Sequence, residues 1–181
     1  MCKRPATWGN GIGEHFVALE SSHSGILESV NIHDSGPDSY PGQANIDLGA
    51  ISHNLLRLRQ AAPGCKQMVI VKADAYGHSR LPVALAAIRS GAEYLGVAHV
   101  EEALTLRDAL DEAGVAREAV TIFSWISPSG LDWTRPLRAG LELSVSAPWT
   151  LRQICEAARA TGIVARIHVK IDTGMSRAGA T

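Results

Sequence analysis

From position 44 onward, short runs of β-branched and apolar residues alternate with stretches whose apolar positions recur every three or four residues. The runs occupy residues 67–71, 94–100, 120–125, 142–146 and 164–171, and their length and composition predict strands. The stretches between them, such as residues 81–89, 101–112 and 149–160, predict amphipathic helices. Strand starts at 67, 94, 120, 142 and 164 set a strand-plus-helix unit that recurs after 27, 26, 22 and 22 residues. Strands joined by crossovers of this length run parallel, so the fold class is α/β. Two architectures fit, a doubly wound open sheet and a partial (β/α)8 TIM-type barrel with about five strand–helix units. The first strand is not followed by a Gly-rich loop, which favours the barrel. Only 138 residues follow position 43, whereas a closed barrel takes about 250. The expectation is an incomplete barrel domain over residues 44–181 that stops too early to hold a whole active site.

Residues 1–43 lack either period. They are rich in Gly, Ser, Asp and His, and Ser35-Gly36-Pro37-Asp38-Ser39-Tyr40-Pro41-Gly42 favours turns throughout, so the region reads as a flexible N-terminal extension. Gly9-Asn10-Gly11-Ile12-Gly13 follows no strand and lacks the spacing of a dinucleotide fingerprint. His15, His23 and His33 match no ligand spacing, and no metal site is expected.

Seventeen Lys and Arg against 18 Asp and Glu give a net charge of −1, with no basic run to track nucleic acid or an anionic membrane. Cys2, Cys65 and Cys155 are odd in number and widely spaced, which predicts reduced thiols rather than a disulfide framework. The longest apolar run near the start, Phe16-Val17-Ala18-Leu19, is too short for a signal peptide, and no stretch is long enough to span a bilayer. The expected setting is cytoplasmic.

Two segments carry candidate chemistry. Lys72 directly follows Met68-Val69-Ile70-Val71, at the C-terminal end of the first strand, where barrel enzymes keep catalytic groups. An amine desolvated there becomes nucleophilic enough to form a Schiff base. Position alone leaves a second reading open, that Lys72 marks the strand's exit into solvent. The fifth strand divides by parity, with Ala165, Ile167, Val169 and Ile171 on one face and Arg166, His168, Lys170 and Asp172 on the other. In a two-layer protein the polar face meets solvent. In a parallel barrel it points inward, where charge is costly and usually functional. Beyond it, Thr173-Gly174-Met175-Ser176-Arg177 places a guanidinium at the rim, suited to an anion or a phenolic oxygen.

Val71-Lys72-Ala73-Asp74-Ala75-Tyr76-Gly77-His78 resembles the cofactor-attachment signature of alanine racemases. The resemblance continues through Ala44-Asn45-Ile46-Asp47-Leu48, Gly96-Val97-Ala98 with Glu101-Glu102-Ala103-Leu104, and His168-Val169-Lys170-Ile171-Asp172-Thr173-Gly174-Met175-Ser176-Arg177. It covers residues 44–181. Ser79 and Ser176 stand where many members have glycine, and neither change removes a functional group.

The resemblance implies pyridoxal 5'-phosphate as cofactor, with Lys72 holding it as an internal aldimine and acting as acid/base on one face of the substrate Cα. It implies that Tyr76 lies near the cofactor phosphate. Arg177 would bond the phenolic oxygen and lie near the substrate carboxylate. Lys170 matches a lysine that some members carbamylate, which would convert it from a cation that repels Arg177 into an anion that pairs with it; a carbon-13 spectrum with labelled bicarbonate reads that modification. The implied activity is interconversion of L- and D-alanine for cell-wall precursors by a homodimer. The opposite-face tyrosine belongs to a C-terminal β domain absent from this sequence.

Two other readings stand beside it: a non-catalytic cofactor-binding remnant, and a racemase of another small amino acid such as serine. His78, His99 and His168 read as structural hydrogen-bonders.

Overall fold

The computed structural model describes residues 15–20, 27–33, 44–128 and 130–180. Strands β1 (His15–Glu20) and β2 (Leu27–His33) pair antiparallel, and β2 pairs antiparallel with β3 (Ala44–Asp47) in a three-stranded sheet. This corrects the expectation that residues 1–43 carry no strand. The turn-forming composition masked two short stretches, Phe16-Val17-Ala18-Leu19 and Val30-Asn31-Ile32, apolar enough to pair. The Gly9–Gly13 segment and the other residues read as flexible lie outside the described residues.

Helix α1 (Leu48–Ala61) starts at Asp47, whose carboxylate accepts from Ala50 N at 2.9 Å and so caps the first turn. A second sheet follows, built from β4 (Met68–Ile70), β5 (Tyr94–His99), β6 (Thr121–Ile126), β7 (Glu142–Val145) and β8 (Ile167–Val169). Its strands are all parallel and lie in sequence order. A doubly wound sheet reverses strand order at a switch point. Here the order never reverses, so the five strands are the first five staves of a barrel. The crossovers are a helical turn, α2 (Lys72–Gly77), then α3 (Arg80–Arg89), α4 (Val100–Glu112), α5 (Thr134–Arg138) and α6 (Pro148–Thr161), with a short 3-10 turn at Arg117–Ala119.

Register fixes the two faces of the sheet. Leu95 and Ile122 are neighbours, as are Val97, Ser124 and Leu143, and all five are buried under the helices together with Val145. The helices answer with Ala84 and Ala87 of α3, Ala103, Leu106 and Leu110 of α4, and Ile154 of α6, spaced so that one stripe of each faces the sheet. The opposite, concave face carries Ile70, Gly96, Phe123 and Glu142 in one row across four strands.

The parity reading of the last strand meets a difference. Ile167 and Val169 continue the outer row of Leu143 and Val145, but Val169 is 66% exposed and Val164 is 89% exposed. Among the described residues no helix covers them, because each outer face is buried by a helix that follows its strand and none follows β8.

Candidate active site

The site grows from the end of β4. Val71, fully buried, donates its N–H to Gly96 O at 2.9 Å and keeps the chain on the sheet for one residue more. Lys72 follows, and the backbone then enters a left-handed turn, with φ of +49° at Ala73, +53° at Asp74, +52° at Ala75 and +56° at Tyr76. None of the four is glycine, and left-handed backbone costs an L-residue about 1–2 kcal/mol. Such a run persists only where its surroundings over-determine it.

Those surroundings are visible. Ala75 N donates to Val71 O at 3.0 Å, and the His78 ring nitrogen Nδ1 lies 2.9 Å from Ala75 O and 3.1 Å from Tyr76 O. Asp74 accepts from Arg80 N at 2.7 Å, which ties the turn to the start of α3. Glu102, in the first turn of α4, accepts from Ala73 N at 2.8 Å with Oε1 and from Ala98 N and His99 N at 3.1 Å with Oε2. Partial burial pushes the Glu102 carboxyl up, but the N–H groups of Ala73, His99 and Ala98 and the charge of Arg80 outweigh it and hold the group below the usual glutamate range.

The half-buried Lys72 side chain turns toward the concave face. Its Nζ lies 5.7 Å from the centroid of the Tyr76 ring and 5.8 Å from that of Trp125 on β6, so the amine sits beside two aromatic rings. Gly96, on the strand between β4 and β6, makes room for this arrangement: a Cβ there would lie 2.7 Å from Ile70 Cδ1 and 3.2 Å from the Trp125 ring. On the same face, the Phe123 ring packs against His168 in a tilted arrangement, with ring centroids 4.4 Å apart. His168 Nε2 is 2.7 Å from the buried carboxylate of Glu142, which also faces Arg166 Nη1 at 3.5 Å.

The rim segment after β8 holds the other predicted residues. Lys170 N donates to Val145 O, and Ala180 N donates to Lys170 O, both at 2.8 Å, so residues 171–180 fold back onto the strand end. Asp172 closes the turn by accepting from Gly174 N at 2.9 Å and Ser176 N at 3.0 Å, bonds that hold its carboxyl below the usual aspartate range. A side chain at Gly179 would overlap the backbone of Ile171 and Asp172, so the fold-back requires glycine there. Arg177 stands exposed on this loop. The structure thus brings Lys72 and Tyr76 together and puts Lys170 and Arg177 on one rim loop. Among the described residues no hydrogen bond or ion pair joins Lys72 or Lys170 to Arg177.

Sequence reasoning did not single out Trp125, Glu142 or Glu102 for a role at the site. Glu102 carried a readable signal, since a glutamate three residues into a helix is the reciprocal half of a capping box. Nothing in the sequence shows that it also reaches a residue 29 positions away.

A parallel, sequentially ordered sheet with a lysine amine at the mouth of its first strand defines a barrel-type α/β domain with an amine centre. The chain belongs to the alanine racemase N-terminal domain family, which matches residues 46–181. It is 50% identical over 141 residues to the alanine racemase of Beutenbergia cavernae, which takes in 78% of this chain and 35% of that protein. Identity to the alanine racemase of Streptomyces coelicolor is 45% over 137 residues, 76% of this chain and 34% of the relative. The solved structure of the alanine racemase from Streptomyces coelicolor superposes with a TM-score of 0.71 at 45% identity, over 75% of this chain and 35% of that one. A histidine racemase from Leuconostoc mesenteroides matches with a TM-score of 0.60 at 28% identity, over 74% of this chain and 34% of that one. The chain spans about a third of the length of the curated relatives it matches.

Proposed function

We propose that this chain provides the lysine-bearing part of a pyridoxal-phosphate-dependent amino-acid racemase, an isomerase that interconverts L- and D-alanine. The observation that carries the reading is the Lys72 amine, held at the C-terminal end of the first parallel strand beside the rings of Tyr76 and Trp125. The donor set fits the cofactor: one primary amine for its aldehyde, aromatic surface for its ring, and a rim arginine for its anionic oxygens.

When bound, pyridoxal phosphate supplies an electron sink that acidifies the hydrogen on the amino-acid Cα. Everything else falls to side chains. Lys72 anchors the cofactor through Nζ and moves the Cα proton on one face. Tyr76 contributes a hydroxyl toward the phosphate. Arg177 orients the cofactor's phenolic oxygen and the substrate carboxylate, with carbamylated Lys170 as its partner. Racemisation needs a second acid/base on the opposite face, and the family resemblance assigns it to a tyrosine of a later domain contributed across a homodimer.

The test is to add pyridoxal phosphate, reduce with borohydride and map the modified lysine by mass spectrometry. The expected outcome is modification concentrated at Lys72 and lost in Lys72→Ala. Modification spread evenly over Lys66, Lys72 and Lys170 would overturn the reading.

Two narrower alternatives stand beside this reading. One is a chain that binds the cofactor without racemising. The other is a racemase of a different amino acid, since a histidine racemase shares this fold. Chiral analysis of alanine, serine and histidine incubated with the loaded chain separates these.

A further inference from the structure

We infer that Glu102 is the positioning residue for Lys72: its carboxylate pins the first amide of the left-handed turn and thereby sets where the lysine amine stands. The inference rests on Lys72 being the cofactor lysine. The lysine's backbone is fastened on both sides, by Val71 N to Gly96 O before it and by Ala73 N to Glu102 Oε1 after it. The second fastening falls on the first of four consecutive residues at positive φ, where the chain leaves the sheet and strain begins.

The chemistry of the contact requires a carboxylate. Three backbone N–H groups converge on Glu102, one on Oε1 and two on Oε2. An ionised carboxylate is acceptor-only at both oxygens, whereas a carboxamide has one accepting oxygen and an NH2 that donates. A glutamine that kept the Ala98 and His99 bonds would turn its NH2 toward Ala73 N–H, donor against donor. The substitution therefore releases the lysine turn while leaving the helix start capped. A further bond fixes the clamp from outside: Arg80, the first residue of α3, donates from Nη1 to Glu102 O at 3.2 Å. One residue thus joins the turn after β4, the end of β5 and the start of α3.

The experiment compares the parent chain with Glu102→Gln, Glu102→Asp and the double variant Glu102→Gln with Ala73→Gly. Two labels are read on each. Isotopic acetic anhydride gives the reactivity of Lys72 relative to Lys66, which also stands over an aromatic ring, 5.6 Å from Tyr94, but in a loop outside the turn. Pyridoxal phosphate with borohydride gives the yield of modified Lys72.

In folded Glu102→Gln the Lys72:Lys66 acetylation ratio is expected to shift about two- to fivefold as the amine leaves its aromatic setting. Pyridoxal modification of Lys72 should fall about 10- to 100-fold. Glu102→Asp, one methylene short, moves both in the same direction. Ala73→Gly recovers part of the loss, because glycine takes the positive φ without being held there. A merely structural role for Glu102 predicts a rescue in the unfolding midpoint alone, with the Lys72 labels of the folded variants unchanged. An unchanged acetylation ratio in a cooperatively melting Glu102→Gln overturns the inference, and so does loss of cooperative folding in both single variants. If the parent chain shows no preference of pyridoxal phosphate for Lys72, the proposed function fails, and the acetylation ratio still decides the role of Glu102.

Discussion

At the scale of the residue, the lysine turn is where local preference and tertiary structure disagree. Ala73, Asp74, Ala75 and Tyr76 all hold φ near +50°, and bonds to Glu102, Arg80, Val71 and His78 keep them there. Ala73 is exposed, so removing its Cβ sacrifices no packing. Ala73→Gly should therefore raise stability by about 0.5–1 kcal/mol, the relief of left-handed strain less the entropy that glycine loses on folding. Urea denaturation measures it, and a destabilised variant would show that the turn is not strained. Such strain is invisible in sequence, because no residue in Lys72-Ala73-Asp74-Ala75-Tyr76 announces a positive φ. The lysine itself was legible, since one ionisable residue ending an apolar run stands out. The aromatic setting was not, because Trp125 comes from another strand and meets Lys72 only through the sheet's register.

At the scale of the element, α1 shows how one side chain sets a boundary. Asp47 ends β3 with its backbone at φ −83° and ψ 101°, and its carboxylate caps the helix that begins at the next residue. Asp47→Ala should cost about 1 kcal/mol, read as a lower midpoint in thermal or urea unfolding, with little change in the Lys72 chemistry. A loss of Lys72 modification without a stability change would contradict this assignment. The five parallel strands and three of the helices stood where hydrophobic periodicity predicts them, because β5, β6 and β7 bury one face under helices and each of these helices buries one stripe on the sheet. Their order could be argued only from the missing Gly-rich loop, and the sequential sheet resolves it. What was not named was β3 with α1, the left-handed turn α2, α5, only five residues long, and the β1–β2 pair, whose apolar positions are too few to outweigh Gly, Ser and His around them. The fifth strand's outer face was legible as apolar, but its cover was not, since a strand's pattern records that a face is greasy and not what lies on it.

At the scale of the whole molecule, the carboxylates act together. Glu93 is held below its ordinary value by the Gln67 N–H, Asp111 by its bond to Arg117, Asp132 by the hydroxyl and N–H of Thr134, and Asp172 by Gly174 N and Ser176 N. Glu102 joins them because its three amide donors outweigh burial. These groups lie on separate parts of the barrel: Glu93 before β5, Asp111 at the end of α4, Asp132 before α5, and Asp172 on the rim. A carboxyl whose pKa is lower folded than unfolded binds fewer protons in the native state. Its contribution is therefore complete above the unfolded value and is lost as pH falls through the folded one. With ordinary values of 4.5 for glutamate and 3.8 for aspartate, stability should be level with respect to these groups above about pH 5.5 and should fall progressively below pH 4.5. Asp111 and Asp132 are exposed and Glu93, Glu102 and Asp172 half-buried, all within reach of solvent screening, so the slope comes from their number rather than from any one pair. Urea midpoints measured from pH 3 to pH 7 read the effect. Glu102→Gln should flatten the acid limb, since its side chain no longer titrates, and a midpoint that stays constant down to pH 3 would show that these bonds do not distinguish the folded from the unfolded chain. The same acid limb bears on the site, because protonating Glu102 removes an acceptor from Ala73 N–H. Lys72 positioning and global stability should then decline over one pH range.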